Sequence, residues 1–163
     1  MLLLGDARSR NRPPALGALA LLALTAVHHV YGAQRFGTPW RAHMAPIAAG
    51  IAVVMLACLA FSRWAGSSTV RHVARWILAL VILALPVAWI GFFEGGYNHV
   101  LKDALYWTGA PTSTLSQLFP SPRYEPPVDA LFEITGILQF PLAVWVVLKT
   151  VMLIRALRSG VAV

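Results

Sequence analysis

Four long apolar runs, at residues 15–33, 44–61, 76–93 and 128–148, alternate with short polar stretches along this chain. Each run is long enough to cross a bilayer as a helix. The third contains 18 residues without a charge, and at 1.5 Å per residue that covers roughly 27 Å. Proline and glycine punctuate the pattern. Pro86 and Pro141 fall inside the third and fourth runs, where a missing N–H bends a helix. Pro126 and Pro127 precede the fourth run, a placement suited to a first helical turn. Gly95 and Gly96 follow Glu94 directly and predict that the third helix breaks there. The second run is rich in alanine with Gly50, and such small residues let helix backbones approach closely. The pattern predicts an all-α integral membrane protein of one domain. Four transmembrane helices would form an antiparallel bundle, with a basic tail at 1–13 and a long loop at 94–127.

Composition supports the membrane. The chain of 163 residues is 58% hydrophobic and 12% charged, against about a quarter charged in a soluble domain. The formal net charge of +7 does not indicate nucleic acid. The arginines interrupt apolar runs instead of lining one amphipathic face, as loops flanking spans do. The first run has the basic lead of a signal peptide, but Tyr31 at −3 of a cleavage after Ala33, and His28-His29 in the apolar segment, favour an uncleaved helix. The single cysteine, Cys58, allows no intrachain disulfide and reads as a small buried hydrophobe.

Basic residues also set an expected orientation. With the N-terminus inside, nine lie on the inner side (Arg8, Arg10, Arg12, Arg63, Arg71, Arg75, Lys149, Arg155, Arg158) and four outside (Arg35, Arg41, Lys102, Arg123). The positive-inside rule then places both termini in the cytoplasm and residues 94–127 outside a cell membrane. Trp64 and Trp76 would mark the inner interface, Trp40 and Trp107 the outer one.

Polarity is as uneven as charge. Five of the six acidic residues lie between positions 94 and 133: Glu94, Asp103, Glu125, Asp129 and Glu133. His28, His29, His43 and His99 belong to the same expected outer half. His28 lies five residues before Ala33 and so about 7 Å inside the end of the first span. Glu133 lies one turn inside Asp129, at similar depth on the fourth. Ionisable groups at membrane depth are costly and mark function, with a partner nearby. His99 and Asp103, like Asp129 and Glu133, stand four apart on one helical face. Together His28, His29, Glu94, His99, Asp103, Asp129 and Glu133 supply the imidazole and carboxylate ligands that divalent transition metals use. Helical bundles build metal sites from such facing pairs, although Glu94 and His99 are five residues apart across the two glycines. A hydrogen-bonded, ion-paired cap with Lys102 and Arg123 would use the same residues.

Other chemistries draw on this set. Haem could take His28 or His29 with His99 as axial ligands, though no haem motif accompanies them. Glu94, Glu133 and His28 could instead serve as acid–base catalytic groups around a lipid or apolar small molecule. Glu133 followed by Pro141-Leu142-Ala143-Val144-Trp145-Val146-Val147 resembles a span of emopamil-binding-type sterol isomerases. That resemblance covers a small part of the chain and implies buried acidic residues around an apolar ligand; the order of the other polar motifs does not follow that family. A third reading is an accessory subunit whose polar face docks a membrane-protein partner. Gly91 and Gly95 form a GxxxG at a span end, weak evidence for helix association. Four prolines between positions 120 and 127 stiffen a strap carrying Phe119 and Tyr124 that could cover the cluster.

The expected orientation can be checked with reporter fusions. Fusions after Gly160 should report a cytoplasmic location and fusions at Ser116 an extracytoplasmic one; the reverse pattern would invert the topology.

Overall fold

Because every long run is apolar on most sides, the helices here hide one face against each other and leave the opposite one greasy. The computed structural model describes residues 12–120 and 126–159. Helix α1 spans Arg12–Arg35. A 3₁₀ turn at Pro39–His43 leads into α2, Met44–Trp64. Helix α3 is a continuous 40-residue rod, Ser68–Trp107. A short α4, Thr112–Leu118, precedes α5, Ala130–Arg158, which contains a turn at Leu138. The four long helices are long and apolar enough to cross a membrane.

Large apolar side chains remain exposed on all four, among them Leu16, Val53, Leu80 and Leu148, which suits a lipid-facing surface. Between the helices a continuous core includes Leu21, Met55, Leu78, Ile82, Ile90 and Val146. Cys58 is buried within it. The core stops short of one end. Where α1 finishes and α5 begins, the buried residues become His28, His99, Lys102, Asp103 and Glu133. This is the polar end.

Several boundaries depart from the sequence pattern. The expected loop between the second and third runs shrinks to a turn, because Ser67 caps α3 by accepting from the Val70 N–H at 3.4 Å. The fourth helix begins at Ala130, after Pro126 and Pro127, with Asp129 as its N-cap. The larger correction lies at Gly95-Gly96, where α3 does not break. From Leu83 to Leu101 it winds as a wide π-helix around Pro86. Hydrogen bonds in such a helix span five residues instead of four, so one turn takes more residues. Residues five apart, such as Glu94 and His99, come onto neighbouring positions of one face. The buried side of this segment accordingly steps through Pro86, Gly91, Gly95 and His99.

That side lies on α5. A Cβ at Gly91 would run into the Ala143 Cβ, and one at Gly95 would stand 2.7 Å from the Phe140 backbone nitrogen. The GxxxG pair therefore does mediate helix association. Glycine is used here for close approach, and the absence of a helix break follows: backbone pressed on backbone over both positions holds the winding. At α5 the turn at Leu138 precedes Pro141, whose missing N–H releases the helix hydrogen bond and bends the rod at this point.

Substituting Gly91→Ala should lower stability by about 1–3 kcal/mol through overpacking. The compensating change Ala143→Gly in the same chain should restore most of it. Unfolding in detergent, followed for both single variants and the pair, measures this coupling.

Candidate metal centre

Three helices converge on the polar end. Helix α1 brings His28 and His29, the π segment of α3 brings Glu94, Asn98 and His99, and α5 brings Phe132, Glu133 and Thr135. Lys102 and Asp103 follow in the last turns of α3. The His28 ring stacks on Phe132, with centroids 4.2 Å apart. The His99 ring occupies the hollow left by Gly136, where a Cβ would collide with it. Both imidazoles are thus wedged by packing before any hydrogen bond is considered.

Their hydrogen bonds allow a self-consistent placement of the ring protons. Thr135 Oγ1 can donate to the Leu131 carbonyl at 2.8 Å and then accepts from His28 Nδ1, 3.0 Å away. In that arrangement His28 carries its proton on Nδ1. Glu133 lies 3.4 Å from the Lys102 ammonium and accepts from His99 Nδ1 at 2.8 Å. That contact is satisfied with His99 protonated on Nδ1. Both Nε2 atoms are then bare lone pairs, yet they face each other at 3.1 Å. Glu94 Oε1 completes the group at 3.9 Å from His28 Nε2 and 3.8 Å from His99 Nε2. The other Glu94 oxygen accepts from Asn98 Nδ2 at 2.8 Å, which aims Oε1 at the rings.

Three electron-rich atoms pointing at one place repel unless a cation or a shared proton lies between them. His28, Glu94 and His99 form a group that could hold a metal ion. With metal–ligand bonds of about 2.0–2.2 Å, tetrahedral geometry puts ligand atoms roughly 3.3–3.6 Å apart. The observed separations bracket that span. Each ligand also has its rear atom fixed, by Thr135, Glu133 or Asn98, and a carboxylate behind a histidine is the usual outer support of a metal site. A second group, His99, Asp103 and Glu133, lies within similar reach. There the Lys102 ammonium already stands 3.3 Å from Asp103 and 3.4 Å from Glu133. That cation takes the place a second metal would need.

The sequence-derived set of seven residues therefore divides. His28, Glu94 and His99 meet at one point. Glu133 stands behind His99 and supports it. His29 approaches only from the side, with Nε2 3.6 Å from Glu94 Oε1. Asp103 pairs with Lys102. Asp129 lies apart from the group: it accepts from Tyr31 at 3.1 Å and from Arg35 Nε at 2.7 Å, at the rim between α1 and α5. As an N-cap it is turned toward its own helix start, which is why the four-residue spacing to Glu133 did not carry it inward. For a haem held by His28 and His99, nitrogens 3.1 Å apart leave no gap for a porphyrin.

Sequence reasoning missed Asn98, Thr135, Phe132 and Gly136. Asn98, four residues beyond Glu94, was visible only to a reading that kept α3 helical through the glycines. The others had no signal, because their work depends on which ring packs against them. Of the proline strap, Phe119 is buried and packs on Tyr97, whose hydroxyl donates to the Leu118 carbonyl at 2.6 Å. Tyr124, Arg123 and Glu125 lie outside the described residues.

Beside the three ligands lies a cavity of about 220 Å³. Glu94, His99 and His29 line it together with Trp89, Phe93 and Met44. No family model, curated protein or solved structure matches the chain. The geometry is the sole guide to function.

Asp129 makes the rim sensitive to acid. The Phe132 N–H it caps, and then the Arg35 guanidinium, hold its carboxyl below the usual carboxylate range. A depressed carboxyl stabilises the fold above its unfolded-state pKa and loses that contribution as pH falls through its folded-state value. Asp129→Asn should keep the cap and remove the ion pair, so the acid side of the stability–pH curve should flatten. Thermal unfolding of both proteins across the acidic range checks this.

Proposed function

We propose that this chain is a multi-pass membrane metalloprotein that holds one divalent transition-metal ion at the extracytoplasmic end of its helices. His28 Nε2, His99 Nε2 and Glu94 Oε1 are the ligands. The observation that carries this reading is the geometry: each Nδ1 lies beside a rear oxygen, of Thr135 or Glu133, while both Nε2 atoms and Glu94 Oε1 converge on one point. Charge agrees. Glu94, Asp103 and Glu133 against Lys102 and the buried Arg41 leave the group one negative charge in excess (three carboxylates less two cations), which favours a bound cation.

Zinc fits better than iron. An octahedral face on bonds of about 2.1 Å has edges near 3.0 Å, whereas two of the three separations here are 3.8 and 3.9 Å. Tetrahedral binding needs less movement. The expected topology, with both termini cytoplasmic, puts the site on the side where the acidic residues gather.

A second reading uses the same groups without metal. His28, His99 and Glu133 form a continuous relay beside the cavity, as an acid–base enzyme acting on a lipid or small apolar molecule would need. In that case a shared proton takes the place of the ion.

Metal analysis of protein purified in detergent separates the two. We expect about one zinc-class ion per chain. His28→Ala, His99→Ala and Glu94→Gln should each abolish it while the protein still inserts. Glu133→Gln should weaken affinity by roughly 10- to 100-fold, as expected for an outer-shell partner. Full activity or stability with no bound metal would favour the relay.

A further inference from the structure

We infer that the centre is hydrolytic, and that its substrate is an amphiphile with an ester or amide carbonyl near its polar end. This rests on the metal reading above. Three protein ligands leave a tetrahedral ion with one position for water or substrate, the arrangement of catalytic and not of closed structural sites. A cavity lies beside the ligands. Two of the three ligands, Glu94 and His99, are in its wall, whereas His28 is fully buried behind them.

The cavity lining is mixed: Glu94, His99, His29, Asn98 and the cations Arg41 and Lys102 share it with apolar Met44, Trp89, Ile90 and Phe93. Trp89 and Phe93 are also partly exposed on the outer surface of α3, at 39% and 42%. The apolar lining is therefore continuous with the flank that would face lipid. An acyl chain can lie along Trp89 and Phe93 while its carbonyl reaches the ion, a division of labour usual in small-molecule sites.

His29 is placed to move the proton. Its Nε2 is 3.6 Å from Glu94 Oε1, it lines the cavity, and its Nδ1 is buried without a hydrogen bond among the described residues. A bound ion would supply acidification of a water and polarisation of the carbonyl. The water oxygen would attack the carbonyl carbon and His29 would take the water's proton. The carbon–oxygen or carbon–nitrogen bond then breaks, and the proton passes from His29 to the departing alcohol or amine. Substrate and one water give an acid plus an alcohol or amine, so no oxidant or further reactant is needed.

The full chain in detergent, loaded with Co²⁺ in place of zinc, tests each part through its visible absorption bands. Acetohydroxamate and octanohydroxamate are titrated separately, and p-nitrophenyl octanoate is the ester probe. Both hydroxamates should shift the bands, with the eight-carbon compound at least tenfold tighter. The paired change Trp89→Ala, Phe93→Ala should remove that preference and leave acetohydroxamate binding. His29→Gln should keep Co²⁺ and the hydroxamate shift, yet lose most ester hydrolysis. Bands unmoved by either hydroxamate, or Co²⁺ lost from His29→Gln, would show a closed site and overturn the inference while leaving the metal reading intact. Hydrolysis no faster than by metal-free protein would overturn it as well. Failure of the wild-type chain to take up Co²⁺ would overturn both readings together.

Discussion

His99 donates from Nδ1 to the Glu133 carboxylate at 2.8 Å, and the polar end of three helices is arranged around that bond. In water such a contact contributes little. Here both partners are almost fully buried, where an unmatched charge or donor is expensive. Glu133 must therefore remain paired, with Lys102 on one side and His99 on the other. With His99 committed to Glu133 through Nδ1, its Nε2 is left facing His28 Nε2 at 3.1 Å and Glu94 Oε1 at 3.8 Å. The chemistry of the site follows from where one carboxylate finds its partners.

The backbone makes that bond reachable. Gly136 opens the hollow for the His99 ring, and Gly91 and Gly95 bring α3 down onto α5. The wide winding between Leu83 and Leu101 turns Glu94, Asn98 and His99 toward the same interior. An ordinary α-helix would carry positions 94 and 99 to different sides. π-type winding is often found at functional sites, and its effect here is specific: it converts a five-residue spacing into neighbouring ligands.

Away from this end, the molecule holds together in a simpler way. Leu21, Met55, Leu78, Ile82 and Val146 are fully buried, and the Cys58 thiol is the sole ionisable group among the described residues of that core. The contrast suits a site reached from one side only. A dry apolar core below the cavity excludes water and raises the strength of every electrostatic contact above it.

Much of this was legible in the residues alone. Apolar runs of near-bilayer length, sparse charge and acidic residues gathered at positions 94–133 are local properties. They determine helices, the membrane and the polar end, because hydrophobic length and charge cost act on each segment separately. His28, Glu94, His99 and Glu133 could be singled out for the same reason: each is an ionisable residue where one is costly. Their division into ligands and supports was not legible. It depends on which atom of each ring faces which neighbour, and that is set by contacts between residues as distant in sequence as His28 and Thr135. The glycines show the limit most plainly. Read locally, Gly95-Gly96 ends a helix; pressed against Gln139 and Phe140 of α5, the same residues let it continue. Backbone preference at glycine is weak in either direction, so tertiary packing decided the winding, and the winding decided the site.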